Sequence, residues 1–149
     1  GANEPLHDVL HDYSEALGIA YQIRDDLDDL AAARAEGEAP ERRPTLPWSM
    51  AWEKAKRPVK PDVVTAWIDT PEAKNGQVEA AYRLLDDLSV ETRCRELMTA
   101  YQEEAIKSLR RLEDATVKGL LRRVVGKIFD ELRIEGWCRE HEARNAASS

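Results

Sequence analysis

Four aspartates fall within five consecutive positions of RDDLDD, residues 24–29: Asp25, Asp26, Asp28 and Asp29. Carboxylate oxygens are the preferred ligands of a hard divalent cation. Mg²⁺ in particular keeps several waters and often completes its shell with substrate phosphate. In a helix, Asp25 and Asp29 stand one turn apart on one face, with Asp26 at its edge. Gln22 lies on the same stripe, as do His11, Glu15 and Gly18. The pattern is unfavourable unless something compensates it. Two carboxylates at i and i+4 destabilise a helix by ~0.2–0.5 kcal/mol, and here they sit toward the C-terminal end, where the helix dipole disfavours negative charge. A solvated acidic face is the commoner fate of an isolated DDLDD, and a metal site is the alternative that would reverse the sign of the problem.

The elements that would position these residues read as helices throughout. Leu6, Val9, Leu10, Tyr13, Ala16, Leu17, Ala20, Ile23, Leu27 and Leu30 recur at helical spacing and predict a long helix over residues 5–34, with Asn3 as its N-cap. Residues 35–45 read as a loop from their glycine, prolines and charge. Short helices are expected over 46–56 and 61–68, the first rich in tryptophan (Trp48, Trp52). Longer ones follow over 77–88, 90–112 and 116–135, with Ser89 as a cap between the first two and a frayed tail over 141–149. Except weakly around Val63 to Trp67, no segment alternates with period two over a strand length, so the fold class is all-α.

Composition narrows the function classes. With 149 residues and a net charge of −7, the chain lacks the basic footprint of a general nucleic-acid binder. The same charge argues against a partner with an anionic membrane surface. No apolar run approaches the ~20 residues of a membrane span. Residues 1–16 include His7, Asp8, His11, Asp12 and Glu15, which is not the pattern of a signal peptide. Cys94 and Cys138 have no metal-like spacing and read as reduced thiols, which places the protein in the cytoplasm. There is no nucleophile–base pair, glycine-rich phosphate loop or zinc spacing.

GIAYQIRDDLDD, residues 18–29, resembles the second aspartate-rich motif of the trans-isoprenyl diphosphate synthases, the polyprenyl synthetase family. The family pattern of a glycine, Phe-Gln and Asp-Asp-x-x-Asp falls on Gly18, Tyr21, Gln22, Asp25, Asp26 and Asp29. RRPTLPWSMAW, residues 42–52, is similar to the family's lysine followed by Thr-Leu-Pro, and residues 100–132 to its last two helices. The resemblance implies an isoprenoid-synthase-like helical bundle in which Mg²⁺, held by Asp25, Asp26 and Asp29, grips the diphosphate of an allylic substrate. The allylic cation left by ionisation is attacked by isopentenyl diphosphate. Gln22 and Arg43 would lie on the substrate side, with Arg42 as a second candidate phosphate contact.

The sequence departs from the family in three places. The first aspartate-rich motif is absent, and Asp86-Asp87 does not replace it. The loop after the second motif is short, with Arg43 in place of the family's lysine and Arg42 in place of a glycine. Tyr21 replaces the usual phenylalanine. The expectation is therefore a C-terminal half of such an enzyme, inactive without the N-terminal half that carries the first motif, and a homo-oligomer. The competing expectation is a non-catalytic helical interaction domain or subunit that keeps a vestigial acidic patch.

Overall fold

A computed structural model describes residues 4–40, 43–69 and 75–129, with the side chains of 6–40, 43–66 and 76–129. Every regular element among them is helical. The order is α1 (Glu4–Ala35), α2 (Leu46–Lys54), α3 (Lys60–Asp69), α4 (Asn75–Asp87), α5 (Val90–Ser108), a 3₁₀ turn (Leu109–Arg111) and α6 (residues 115–129). Asn3, Arg42, Cys138, residues 130–135 of the last expected helix and the tail lie outside the described residues, as does the Trp67 side chain.

The chain forms two compact units, residues 18–101 and residues 1–17 with 102–149. In the second of these, Val9, Tyr13 and Ala16 of α1 are buried, as are Ala105, Leu109, Leu112 and Val125. The Tyr13 hydroxyl donates to the Leu121 carbonyl at 2.9 Å, and Arg111 pairs with Asp12. The helix expected to run to residue 112 tightens after Ser108 into the 3₁₀ turn and ends at an extended Leu112. Asp114, expected only as a break, has a more specific task. Its Oδ1 accepts from the backbone N–H groups of Thr116 (2.8 Å) and Val117 (3.0 Å), capping α6.

The unit of residues 18–101 carries the larger core. Ile23 and Leu27 of α1 pack with Trp48 and Ala51 of α2, Val63 of α3, Tyr82 and Leu85 of α4, and Val90 and Cys94 of α5. Along α1 the buried positions 9, 13, 16, 20, 23 and 27 step by four and three, which keeps one seam turned inward over five turns. Leu6 and Leu10, expected on that face, are exposed instead.

Helix α1 ends in a Schellman motif. Gly37 takes φ +71°, its N–H donates to Arg34 O (3.1 Å), and Glu38 N–H donates to Ala33 O (2.8 Å). Arg34, in the last turn of α1, forks onto Asp86 of α4 at 2.9 and 2.6 Å and stands 5.1 Å over the Tyr82 ring. The Tyr82 hydroxyl donates to the Glu38 carbonyl at 2.9 Å, so the same region of α4 holds the start of the short loop. Ser89 does not act as the expected side-chain cap. It sits at φ 51°, closing α4 by donating its N–H to Asp86 O, and its own carbonyl accepts from Arg93.

Candidate functional site

Short loops bring the acidic turn of α1 close to the start of α2. Thr45 is the N-cap residue of α2, but its side chain makes no capping hydrogen bond. The cap comes from α1: Oδ2 of Asp26 accepts the backbone N–H of Leu46 at 2.9 Å. A carboxylate suits this place because the first turn of a helix has unpaired N–H groups and the positive end of the dipole. Asp26 is 7 % exposed. Its other oxygen accepts from Gln22 Nε2 at 3.2 Å and lies 3.8 Å from an Arg43 guanidinium nitrogen. That same nitrogen donates to Asp29 Oδ2 at 2.8 Å.

Gln22, Asp26, Asp29 and Arg43 are therefore brought together, with divided tasks. Asp26, expected as one of three metal ligands, is a buried tether between two helices. Gln22, expected to face substrate, orients that tether. Arg43, expected near phosphate, stands against Asp29. Asp25 lies 3.8 Å from Arg24, which also approaches Asp28 at 3.9 Å. Arg24 is the residue that sequence reading passed over. Its signal was present, because an arginine four residues before an aspartate is placed to pair with it on a helix.

Among the described residues no group of three His, Cys, Asp or Glu side chains is arranged to hold a metal ion. The side chains of Asp25 and Asp29 are 42 % and 58 % exposed, one helical turn apart. Their oxygens suit a water-rich Mg²⁺ held by two carboxylates, whereas Asp26 is already committed to Leu46.

The surroundings resolve the remaining candidates. Tyr21 is exposed, so its hydroxyl meets solvent, and Arg24 lies 4.5 Å over its ring. His11 is exposed. A Cβ at Gly18 would meet nothing within 4 Å, so no close approach demands glycine there. Trp48 is buried in the core, while Trp52 is 46 % exposed. Cys94 is a free, buried thiol. Burial first, and then the charges of Asp26 and Glu91, push its pKa up to about 11, so it stays protonated.

No family model matches the chain. The "Probable hexaprenyl pyrophosphate synthase, mitochondrial" of Yarrowia lipolytica (strain CLIB 122 / E 150) is 29% identical over 140 residues, covering 87% of this chain and 29% of that protein. The chain thus spans less than a third of that relative's length. No solved structure matches it. The similarity supports a distant polyprenyl-synthase origin, and the all-helical fold agrees with it. No described helix is long and apolar enough to cross a membrane.

Proposed function

We propose that the chain is the second-acidic-motif portion of a Mg²⁺-dependent prenyltransferase that joins an allylic diphosphate to isopentenyl diphosphate. The observation that carries this reading is the pair of exposed carboxylates, Asp25 and Asp29, one helical turn apart with Arg43 against Asp29. A diphosphate needs charge from two sources, a divalent ion and fixed donors. Asp25 and Asp29 would hold Mg²⁺, which when bound stabilises negative charge on the departing diphosphate as a Lewis acid. Arg43 then exchanges its partner, from the Asp29 carboxylate to a diphosphate oxygen, where its planar donors fit. Asp26 and Gln22 keep the two helices and Arg43 in place.

Calorimetric titration of pyrophosphate into the chain tests the reading. Binding is expected with Mg²⁺, not without it, and not in Asp25→Asn/Asp29→Asn. Equal uptake by wild type and variant, or no uptake by either, contradicts it.

The same proposal includes a first acidic motif supplied from outside these residues and assembly as a homo-oligomer. The exposed Val117, Leu120 and Val124, which lie along one side of α6, offer an apolar face for self-association. The chain alone should then give no prenyl transfer, and a longer labelled product formed by it from isopentenyl diphosphate would overturn that part. Sedimentation reads the oligomeric state, with a monomer at high micromolar concentration counting against assembly. A cytoplasmic location rests on the free Cys94 thiol, and imaging of the tagged protein checks it.

One observation favours a second reading, a non-catalytic helical domain with a vestigial patch. The acidic turn already has partners within the protein: Arg24 beside Asp25 and Asp28, Arg43 on Asp29, and the α2 N-terminus on Asp26. A Mg²⁺-independent result in the pyrophosphate titration selects it.

A further inference from the structure

KAKRPVK, residues 54–60, places four cations in seven positions of a chain whose net charge is −7. The segment joins the end of α2 to the start of α3 through a turn in which the N–H groups of Val59 and Lys60 donate to the Lys56 carbonyl at 2.8 and 3.2 Å. Lys54, Lys56 and Arg57 are exposed, and Lys60 is half-buried. None of the ion pairs among the described residues uses them.

Beside this segment, α2 and α3 leave an open apolar pocket of about 370 Å³ lined by Pro44, Trp48, Ser49, Trp52, Val63 and Val64. The Lys60 ammonium stands 4.4 Å from the centre of the half-exposed Trp52 ring, so a cation marks the pocket's aromatic wall. None of these side chains takes part in the Asp26 tether.

An exposed tryptophan is stable at a boundary between hydrocarbon and water. Lysine and arginine stems can lie along apolar surface while their charges stay wet, and clustered cations are drawn to anionic lipid headgroups. A single-stranded nucleic acid would instead need an open aromatic face for its bases. Here Lys60 covers one face of Trp52, and the pocket beside it is walled by valine and proline, a surround suited to hydrocarbon. We infer that the α2–α3 connection is a docking surface for a membrane bearing anionic lipids. Lys54, Lys56 and Arg57 meet the headgroups, Trp52 enters the interface, and an acyl segment enters the pocket beside Trp48 and Val63. The net negative charge that argued against such a partner for the whole chain does not decide the matter locally. At physiological ionic strength exposed charges more than ~8 Å away are largely screened. The inference stands independently of the prenyltransferase reading.

Co-sedimentation with vesicles tests it, using phosphatidylcholine alone and an equal mixture of phosphatidylcholine and phosphatidylglycerol. The wild-type chain should sediment with the mixed vesicles only, and less as salt is raised. Lys56→Ala/Arg57→Ala should weaken partitioning by about 25-fold, roughly fivefold for each cation removed. Trp52→Ala should weaken it further while leaving the helical circular-dichroism signal unchanged. If that variant does not fold, the double cation variant decides alone. Equal sedimentation with both vesicle types, or a double cation variant that binds as wild type does, overturns the inference. So does uptake of an oligouridylate in place of the anionic vesicles, which would mark a nucleic-acid surface.

Discussion

Two stretches of the chain look alike, RDDLDDL at residues 24–30 and RLLDDL at residues 83–88, yet their paired aspartates do different things. In the first, Asp26 is buried on the N-terminus of α2, while Asp25 and Asp29 remain substantially exposed. In the second, Asp86 is gripped at both oxygens by Arg34. That hydrogen-bonded guanidinium holds the Asp86 pKa below the ordinary carboxylate value. What folds onto each pair sets its role: a helix end and a loop arginine in one case, a single arginine fork in the other. Both stretches keep exposed carboxylates beside an arginine, but only the first also buries one of its aspartates against a helix end.

Removing Asp26 should do the most damage. Asp26→Ala leaves the Leu46 N–H without its buried acceptor and should cost about 2 kcal/mol, read as a lower urea midpoint with an unchanged slope. Asp86→Asn breaks an exposed pair and should cost only about 0.5–1 kcal/mol at neutral pH. Its pH dependence separates the two acids further. Because the folded pKa of Asp86 is depressed, its contribution is present above the unfolded carboxylate value of 3.8 and is lost as pH falls through the folded value. Urea midpoints of wild type and Asp86→Asn should therefore differ at pH 7 and converge in strong acid. A constant gap at all pH values would remove the arginine fork from the account.

Asp25→Asn/Asp29→Asn should change metal-free stability by less than ~0.5 kcal/mol, because repulsion relieved is offset by ion pairs lost to Arg24 and Arg43. Its expected signature is loss of the Mg²⁺-dependent rise in melting temperature, a rise that amounts to about 1.4 kcal/mol at ten times Kd in the wild type. The smallest effect is on Cys94. Asp26→Asn removes one of the charges that raise the thiol's pKa, so its slow modification by a thiol reagent should quicken slightly and stay far below the unfolded rate.

The helices were legible because apolar spacing reports directly on which face is buried, and the positions 9, 13, 16, 20, 23 and 27 form one such seam. Nothing local placed Arg43 beside Asp29, but the stripe shared by Gln22 and the acidic turn could also be anticipated. The division of labour within the turn could not. Asp26 lies at the edge of the polar stripe on a helical wheel, and only the arrival of Leu46, twenty residues later, buries it. Ser89 failed as an expected cap for a related reason. A serine between two helices fits a cap pattern, but here the backbone has to reverse through a positive φ. Arg34 and Asp86 are 52 residues apart, and no local pattern pairs them.

In the proposed site Asp26 is a helix tether, while Asp25 and Asp29 would face a diphosphate-bound ion. Amide NMR of the chain titrated with Mg²⁺ and pyrophosphate tests it most directly, with the Leu46 amide as reporter. Large shifts are expected at residues 25, 29 and 43, with a Leu46 amide that keeps its shift and its protection from solvent exchange. In Asp26→Asn the Leu46 amide should move and lose protection before any ligand is added. A Leu46 amide that shifts with Mg²⁺ as strongly as those of residues 25 and 29 would show Asp26 leaving α2 for the metal, and would contradict the division of roles.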